Sequence, residues 1–578
     1  MKHQFDAIIV GAGGAGLYAA LEASRTAKTA VLSKLYPIRS HTGTAQGGIG
    51  AALGSVEEDR PEWHCFDTVK GGDYLTDQKA AQILVEDAVE AVYHLENLGL
   101  PFSRTPDGKI DQRRFGGHTR NFGEAPVKRA CYAADRTGHM ILQTLYQQCI
   151  KNGVRFFDEF HVLEALIDGD RCNGVVALEL ATGEIHTFHS KATFFATGGF
   201  GRIFKTTSNA YANTGDGPAV LARAGVPMED MEFFQFHPTG IYRMGILITE
   251  AVRGEGGILR NRAGEPFMER YAPKLKDLAP RDMISRAIID ELRKGSGIRG
   301  DGKIDDYVYL DATHIGREAI DKKLPDIAGF CRTYLGVDPA DKPIPVQPTA
   351  HYAMGGIPTD LWGRVVRNAK GDVYEGLYAA GECACVSVHG ANRLGTNSLV
   401  DIIVYGKRAG TDIARYVRDA DFGPLPETAD DRARAGVKAL VTGTRGKPRG
   451  EITARMQETM MELVGVYRAA DEMKAAIAAL RTLRGEYREV RVADTGKGFN
   501  TELLEVLELG NLLDIAWMTA LAAANRTESR GAHSRVDFPE RDDTNWLKHS
   551  MIRLVGDGYE IGYKDVDISL YPPKPRVY

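Results

Sequence analysis

The sequence has few of the features that mark disulfide-bonded, metal-binding or nucleic-acid-binding proteins. It contains seven cysteines, an odd number without the regular spacing of a disulfide framework. The one close pair, Cys383 and Cys385, lacks the second pair that zinc or iron–sulfur sites require. The 72 basic and 77 acidic residues give a formal net charge of −5, which excludes a strong electrostatic attraction to nucleic acid. We predict free buried thiols, no metal site in this chain and no nucleic-acid partner.

Long apolar runs are also missing. A membrane-spanning helix needs about 18 or more consecutive apolar residues, and the longest apolar stretches here are interrupted by glycine or are shorter. The N-terminus passes from MKHQF directly into a strand-like pattern, which leaves no room for a signal or transit peptide. These absences predict a protein made and kept in the cytoplasm. At 578 residues and 43% hydrophobic content, the chain is long enough for roughly two to four compact parts.

A glycine-rich motif opens the chain. The apolar run DAIIV leads into GAGGAG and then into the helix-forming LYAALEASRT. This is the order of a dinucleotide-binding unit, in which Gly11 permits the turn, Gly13 lets the backbone approach a pyrophosphate and Gly16 lets the helix pack. The second strand, TAVLSK, ends in Ser33 and Lys34 where an acidic residue is usual. A hydroxyl, the backbone or a distant carboxylate must therefore contact the ribose.

Two later segments repeat the pattern of a buried strand that runs into a glycine loop, ATFFATGGFGR and GLYAAGECA. A nucleotide domain split over such distances favours FAD over NAD, since nicotinamide dehydrogenases usually complete their cofactor domain in one block. Between these strands, strand-like and helical pieces alternate with proline and glycine breaks, which predicts an inserted domain that closes over the flavin. Beyond about Pro424, apolar residues recur at helical spacing.

These patterns predict an α/β fold with a split Rossmann-like FAD-binding domain, an inserted α+β capping domain and a C-terminal helical domain. The two parts of the FAD-binding domain are predicted at 1–235 and 351–423, and the capping domain at 236–350. The helical domain is predicted at 424–540. The remaining segment, 541–578, is polar and rich in proline, so we predict that it runs over the surface.

Seven further motifs follow one another along nearly the whole chain: RSHTGTAQGG, QFHPTG, TEAVRGEGG, PRDMISR, HYAMGG, HGANRLGTNSL and TESRGAHSR. Together they resemble the flavoprotein subunits of the fumarate reductase and succinate dehydrogenase family. The resemblance implies oxidation of succinate to fumarate by hydride transfer to FAD. It implies transfer of electrons to an iron–sulfur subunit, and through membrane anchor subunits to quinone. It also implies a peripheral position on the cytoplasmic face of a bacterial inner membrane.

The resemblance also implies how the flavin is held. In this family the histidine of the RSHT motif, His41 here, forms a covalent bond to the 8α-methyl group of FAD, which makes the flavin a stronger oxidant. Glutamine at Gln46, where fumarate-reducing members tend to have glutamate, favours succinate oxidation as the forward direction. By motif, the predicted cofactor-binding residues are Gly11, Ala12, Gly13, Gly14, Ala15, Gly16, Ser33, Lys34, Ser40, His41, Thr42, Gln46, Gly47, Gly48, Asp216, Glu382, Ser398 and Leu399.

A small dicarboxylate needs cationic and hydrogen-bond-donating groups at both ends, and arginine suits bidentate carboxylate binding. The family motifs carry this role over to His237, Thr249, His351 and Arg393. Phe122 of RNFGE is predicted to pack on the substrate.

Proton transfer is also carried over from the family. The resemblance makes Arg281 the proton shuttle, with Glu250 and Arg253 as the relay towards solvent. Arginine is an unusual base, so the transfer has to be brief and lie inside a charge network. Arg286 and His389 are predicted to be structural.

Other interpretations of the same residues stay open at this stage. A fumarate reductase would share the fold and favour glutamate at position 46. L-aspartate oxidase shares much of the site but typically holds FAD without a covalent bond. A non-catalytic flavin-binding assembly subunit is a third possibility, although it has no reason to keep the whole set of substrate and proton-transfer residues. The segment TESRGAHSRVDFPERDD could dock the iron–sulfur subunit or be ordinary surface.

Overall fold

A computed structural model describes residues 1–300, 305–442 and 446–576. The remaining positions, 301–304, 443–445 and 577–578, belong to the predicted capping domain, helical domain and C-terminal segment, and those parts of the predictions lie outside the described residues. The N-terminal part contains the following strands and helices: β1 (Lys2–Val10), α1 (Gly14–Ala23), β2 (Thr29–Ser33), β3 (Ile49–Gly50), α2 (Pro61–Gly71), α3 (Gln78–Asn97), β4 (Gln112–Arg120), β5 (Ala125–Cys131), α4 (Thr137–Lys151), β6 (Arg155–Asp158), β7 (Phe160–Asp168), β8 (Arg171–Glu179), β9 (Ile185–Phe195), α5 (Asp216–Arg223) and β10 (Met228–Glu229).

The rest of the chain continues with an inserted part, a return to the first domain and a helical part. The inserted part contains β11 (Phe234–Ile241), α6 (Ala251–Gly254), β12 (Ile258–Arg260), α7 (Met268–Tyr271), α8 (Arg281–Arg293), β13 (Ile298–Arg299), β14 (Asp305–Asp311), α9 (Arg317–Lys323), α10 (Pro325–Phe330) and β15 (Ile344–Ala353). Then follow β16 (Ile357–Pro358), β17 (Arg364–Val366), β18 (Val373–Ala379), β19 (Ala384–Cys385), α11 (Asn397–Asp419), α12 (Asp431–Thr442), α13 (Arg449–Leu463), α14 (Ala470–Tyr487), α15 (Thr501–Asn525), β20 (Lys548–Val555) and β21 (Gly558–Asp565).

The largest sheet has the strand order β17-β18-β8-β9-β1-β2-β6, with β7 paired to β8. Strand β1 runs parallel to both β2 and β9, and the late strand β18 runs parallel to β9. Because successive side chains of a strand point to opposite faces, Ile8 packs with the helical part and Ile9 packs with α1, α3, α4 and α11. The predicted split domain is confirmed, since strands from both parts of the chain complete one sheet.

The inserted part has its own sheet, β11-β15-β14-β12 with β13 beside β14. Neighbouring strands are antiparallel, and Ile284 and Ile288 of α8 pack with Leu310 and Val346 of the sheet in a separate hydrophobic core. The predicted limits at 236 and 350 lie inside the first and last strands of this sheet. This is the α+β capping domain that the sequence predicts.

The helical part beyond Pro424 is also confirmed, as α12 to α15. Within the described residues, α15 alone is long and apolar enough to cross a membrane by length and composition. However, 89% of its apolar window is buried inside the molecule. The apolar surface of α15 therefore packs in the hydrophobic core that this helix shares with the large sheet.

The prediction that 541–578 runs over the surface is wrong for the central part of strand β20, residues 549–552. Strands β20 and β21 form an antiparallel hairpin, and β20 pairs with β10. His549, Ser550 and Ile552 are fully or almost fully buried in β20. His549 and Lys564 pair with the buried carboxylates of Asp230 and Glu229, so the polar composition of this segment does not by itself indicate exposure.

Candidate active site

A cavity of about 710 Å³ lies where strands β1, β2 and β9 of the large sheet end, and it reaches the capping domain at Ile246, Leu247 and Phe330. The carboxyl ends of parallel strands are the usual ligand-binding edge of such sheets. Most of the predicted cofactor residues line this cavity: Gly11, Ala12, Gly13, Gly14, Ala15, Ser33, Lys34, Ser40, His41, Thr42, Gln46, Asp216, Glu382, Ser398 and Leu399. Gly16, Gly47 and Gly48 are not among its lining residues; His351 and Arg393 are.

The glycine turn between β1 and α1 has no space for side chains. Gly11 has a φ of +108°, and a Cβ there would lie 2.2 Å from the carbonyl oxygen of Ala196. A Cβ at Gly16 would lie 2.0 Å from the carbonyl oxygen of Gly11, which explains a packing role for Gly16. Gly13 provides no side-chain cap for α1, so the first amide groups of the helix face the cavity as an anion-binding end.

The end of β2 carries a buried cation in place of the usual acidic residue. Lys34 Nζ lies 2.7 Å from Asp216 Oδ2 and 2.6 Å from Glu508 Oε1, and it also donates to Thr214 Oγ1 at 2.8 Å. Burial raises the pKa of Asp216, but Lys34 outweighs this and holds it at about 2. A carboxylate distant in sequence therefore stands at this end of the cavity, which is one of the three contacts that the sequence left open, and Lys34 fixes its position.

His41 lies in a short 3₁₀ turn, His41–Thr44, beside the glycine turn. Thr42 Oγ1 accepts a hydrogen bond from the backbone N–H of Gly14 at 3.1 Å, and Ser40 Oγ donates to the carbonyl of Ala12 at 2.9 Å. These bonds hold the imidazole at the cavity wall. Burial lowers the pKa of His41 to about 4, so the ring is neutral at physiological pH and keeps a lone pair for bond formation.

Two buried polar groups of the same cavity, Gln46 and Glu382, are incompletely paired within the described residues. Gln46 Oε1 has no hydrogen-bond partner among the described residues. Glu382 accepts one bond, from the backbone N–H of Ala353 at 3.2 Å, and burial raises its pKa to about 7. Buried polar atoms of this kind need a partner, and a ligand with donors and acceptors would supply it.

Two of the predicted substrate ligands, His237 and His351, lie side by side, and His351 also lines the cavity. The rings of His237 and His351 are 5.1 Å apart. His237 Nδ1 accepts the backbone N–H of Thr239 at 3.2 Å, which places the ring proton on Nε2, and Nε2 has no partner among the described residues. Thr249 is also buried, and Ser208 Oγ is 2.7 Å from His351 Nδ1.

Arg393 is a buried cation without a carboxylate partner in the described part of the chain. Its guanidinium stacks 4.3 Å from the centre of the Tyr352 ring, and its Nε donor is unpaired. Burial, and then the charge of Arg281, lower the pKa of Arg393 to about 9. A buried cation of this kind is stabilised by an anion, and its planar donors suit a carboxylate.

The three predicted proton-transfer residues form a chain. Arg281 Nε donates to Glu250 Oε2 at 2.9 Å, and Arg253 Nη2 is 3.7 Å from the same oxygen. Burial raises the pKa of Glu250, but the two arginines outweigh this and hold it below its usual value. Glu250 Oε1 accepts the backbone N–H of Gly116 at 2.9 Å.

Two residues of the site do not appear among the sequence-based predictions. Gln235 Oε1 accepts from Arg281 Nη1 at 3.0 Å and from Arg393 Nη2 at 3.3 Å, so one amide holds both guanidinium groups. It stands two positions before His237 in strand β11, but a register shift follows it, so strand alternation alone does not indicate it. Phe115 packs between Gly47, which follows Gln46, and Gly395, which stands two positions after Arg393. A Cβ at either glycine would lie 2.8 Å from the Phe115 ring.

The prediction that Phe122 packs on the substrate is wrong. Its side chain is 50% exposed and lies edge-on to Phe66, outside the cavity lining. Asn121 and Phe122 both have positive φ in the tight turn between β4 and β5, which directs the ring outwards. Phe115, in the strand before this turn, is the aromatic residue that lies in the site.

The two residues predicted to be structural have different surroundings: Arg286 has partners outside the cavity lining, and His389 contacts Tyr352, which lines it. Arg286 bonds Asp282 and the carbonyl of Gly531, each at 3.0 Å. His389 Nε2 lies 3.2 Å from Tyr352 Oη. In the segment considered for docking, Arg530 to Arg535 are buried, and positions 536 to 540 are exposed.

All seven cysteines are free and buried, as predicted. One buried group, Glu229, Asp230 and His549, has ligand atoms close enough to hold a metal ion. Lys564 Nζ lies 2.8 Å from Glu229 Oε1, and His549 Nδ1 lies 2.6 Å from Asp230 Oδ2. Asp230 and Asp77 outweigh the effect of burial and raise the pKa of His549 to about 10, so two cations already balance these carboxylates.

The family model described as FAD binding domain matches residues 6–399, and the model described as fumarate reductase flavoprotein C-term matches residues 453–578. The chain belongs to this flavoprotein family. The succinate dehydrogenase flavoprotein subunit of Coxiella burnetii is 49% identical over 99% of both chains. The mitochondrial subunit of Oryza sativa is 46% identical over 100% of this chain and 94% of its own. A fumarate reductase flavoprotein subunit of Mycobacterium tuberculosis is 41% identical over 100% of both.

Solved structures agree with this membership. A mutant Escherichia coli quinol fumarate reductase matches with a TM-score of 0.93 and 40% identity, over 100% of this chain and 99% of that one. Mycobacterium smegmatis Sdh1 in complex with UQ1 matches with a TM-score of 0.86 and 36% identity, over 99% and 96% of the two chains. The predicted flavoprotein fold is thereby confirmed.

The residues present fit the FAD of this family. The glycine turn allows close backbone approach, and the N-terminus of α1 suits a pyrophosphate. Gln46 and Glu382 offer incompletely paired polar atoms in the same cavity as His41. The sequence motifs therefore predicted the cofactor correctly, and the tertiary structure shows which residues line its cavity.

Proposed function

We propose that the chain is the catalytic flavoprotein subunit of a succinate dehydrogenase, which oxidises succinate to fumarate. The observation that carries the proposal is a pair of buried, unpaired donors, His237 Nε2 and Arg393 Nε, beside the Arg281–Glu250 ion pair. Donors of this kind bind carboxylates, and the ion pair can move a proton. The relatives from Coxiella burnetii and Oryza sativa are named as succinate dehydrogenase subunits.

FAD is the proposed hydride acceptor, held by the glycine turn, Ser40, Thr42, Gln46, Glu382, Ser398 and Leu399 and joined covalently to His41. Asp216 serves the ribose end of the cofactor. Covalent attachment by an imidazole withdraws electron density and strengthens the flavin as an oxidant, which suits removal of hydride from an unactivated carbon.

The chain's own residues hold the substrate and move the proton. His237, Thr249, His351 and Arg393 bind the two carboxylates and orient the central carbons. One central carbon loses hydride and its neighbour loses a proton to Arg281. As Arg281 accepts this proton it releases another to Glu250, so that no neutral arginine accumulates. Arg253 continues the route outwards.

The proposed direction is succinate oxidation, because an amide stands at Gln46. Electrons pass to an iron–sulfur subunit and then, through membrane anchor subunits, to quinone. This places the chain on the cytoplasmic face of a bacterial inner membrane, attached through its partners. There are two alternatives, which the tests below separate. One is a fumarate reductase, which runs the proposed reaction in the reverse direction, and the other is an enzyme like L-aspartate oxidase.

The covalent bond is tested by flavin fluorescence of the denatured protein in a gel. We expect fluorescence in the wild-type band and none in His41→Ala. His314→Ala is the matched control, because His314 is exposed and bonds only the carbonyl of Gly256 among the described residues. Loss of flavin from all three proteins on denaturation would contradict covalent attachment and favour a relative such as L-aspartate oxidase.

The reaction is tested by dye reduction with the flavin-loaded protein. We expect rapid reduction with succinate, none with L-aspartate, and competition by malonate, a shorter dicarboxylate. Fumarate reduction by a low-potential dye that is faster than succinate oxidation would reverse the proposed direction. Turnover of L-aspartate alone would overturn the proposed substrate.

A further inference from the structure

We propose that Asp277 is the solvent-side end of the proton route that begins at Arg281. The inference rests on the proposed dicarboxylate oxidation and adds a residue to its proton transfer. It follows from the burial of the route. Arg281, Glu250 and Arg253 are only 7%, 3% and 2% exposed, so a proton that reaches Arg253 has not reached solvent.

Asp277 lies where the route leaves the capping domain. It is the middle residue of the 3₁₀ turn Lys276–Leu278, which lies just before α8 and Arg281. Arg253 donates through Nη1 to the backbone carbonyl of Asp277. The same turn therefore contacts Arg253 and leads directly into the helix that begins with Arg281.

The carboxyl group of Asp277 is suited to exchange a proton. Its Oδ1 accepts the backbone N–H of Leu259 at 2.9 Å, and Oδ2 has no hydrogen-bond partner in the described part of the chain. The residue is half-buried. The charged groups that face it are Arg253 from α6, Arg260 from β12 and the neighbouring Lys276. Burial raises its pKa despite Arg253, which makes the group a better proton acceptor.

Neighbouring carboxylates are occupied by other cations. Asp311 bonds Arg260 at 2.8 Å and also accepts from Thr313. Glu255 pairs with Lys323 at 2.5 Å. Asp277 has no ion pair within 4.0 Å among the described residues. Its charge acts on the nearby Arg253 and opposes the lowering of the Arg253 pKa by burial.

The proposed step is a balanced proton transfer. Glu250, protonated by Arg281, gives its proton to Arg253 while Arg253 releases one, through one bridging water, to the carboxylate of Asp277. Asp277 then loses this proton to water, and all three groups return to their starting charge. No electrons move in this part of the reaction, and the hydride takes its separate path to the cofactor.

The test compares Asp277→Asn, Asp277→Glu and the matched control Glu269→Gln in the flavin-loaded protein. Glu269 lies on the adjacent turn, pairs with Lys276 and is 56% exposed, so its change removes the same charge off the route. We expect Asp277→Asn to lower kcat for succinate by about ten-fold or more, with KM and flavin content unchanged. Its solvent deuterium isotope effect should exceed that of the wild type, because proton release has become rate-limiting. Asp277→Glu should restore most of the rate.

Retention of kcat within about two-fold in Asp277→Asn would overturn the proposal. Loss of flavin, or loss of malonate stabilisation in a thermal shift, in both Asp277 variants would also overturn it, because the residue would then act on structure. If the wild type and Glu269→Gln themselves fail to oxidise succinate while binding flavin, the proposed function fails, and this inference fails with it.

Discussion

Two arginines five positions apart on helix α8 have unlike surroundings. Arg281 contacts Glu250 and Gln235 in the site, whereas Arg286 contacts Asp282 and a backbone carbonyl. Five residues at 100° each turn the side chain to another face of the helix. The role of each arginine is therefore set by its position on the helix rather than by its residue type.

This difference predicts the outcome of two equivalent substitutions. Arg281→Lys should lower kcat for succinate by about 100-fold or more, because lysine cannot bridge Glu250 and Gln235 with a planar group. Arg286→Lys should keep kcat within a few-fold, since its ion pair with Asp282 is 27% exposed on the arginine side. Steady-state dye reduction measures both. Equal losses in the two variants would contradict the distinction.

Most site residues could be predicted from sequence because they stand in short motifs that the family resemblance identifies. Phe122 and Phe115 show the limit of this reasoning. Both phenylalanines stand directly before a glycine in neighbouring motifs. Phe122 lies in the turn between β4 and β5, which directs its ring outwards, whereas Phe115 is buried within β4. Gln235 was missed because a lone glutamine has no chemical signature until two arginines are placed around it.

At the scale of elements, the β20–β21 hairpin is held by buried ion pairs as well as by apolar contacts such as Ile552. His549 is fully buried and contacts Asp230 at 2.6 Å and Asp77 at 3.2 Å. Its strand therefore looks polar in sequence although it is buried. The reasoning from composition failed here because buried ion pairs and exposed charges use the same residues.

The raised pKa of His549, about 10 against 6.5, gives this element a pH-dependent contribution to stability. The charged form is favoured in the folded state, so the contribution is complete below pH 6.5 and is lost as the pH rises through about 10. We expect the melting temperature of the wild type to fall more steeply between pH 7 and 10 than that of His549→Gln. Differential scanning calorimetry measures this, and parallel curves would contradict the assignment.

At the scale of the whole molecule, the helical part is joined to the cofactor end of the large sheet. Glu508 of α15 reaches Lys34, which also holds Asp216 at the cavity. Lys34 and Glu508 are more than 400 positions apart in sequence, so their contact links distant segments of the chain. Packing of the helical part thereby positions a charged group of the cofactor site.

Loss of this link should be costly to stability. Glu508→Gln should lower the free energy of unfolding by about 2 kcal/mol, because it removes one partner of a buried cation. Glu505→Gln on the same helix should change it by less than about 1 kcal/mol, since its ion pair with Arg449 is 35% and 43% exposed on its two sides and is therefore screened by solvent. Chemical denaturation measures both. A larger effect at Glu505 would contradict this account.

The sequence by itself determined the α/β class, the glycine turn, the helical part and the family motifs, because each depends on residues close together in the chain. Only the tertiary structure decided that Gln235 joins Arg281 to Arg393, which phenylalanine lies in the site and which carboxylates stand beside Lys34. Those pairings join residues that are distant in sequence. They depend on how strands and helices pack, and residue type alone does not contain that information.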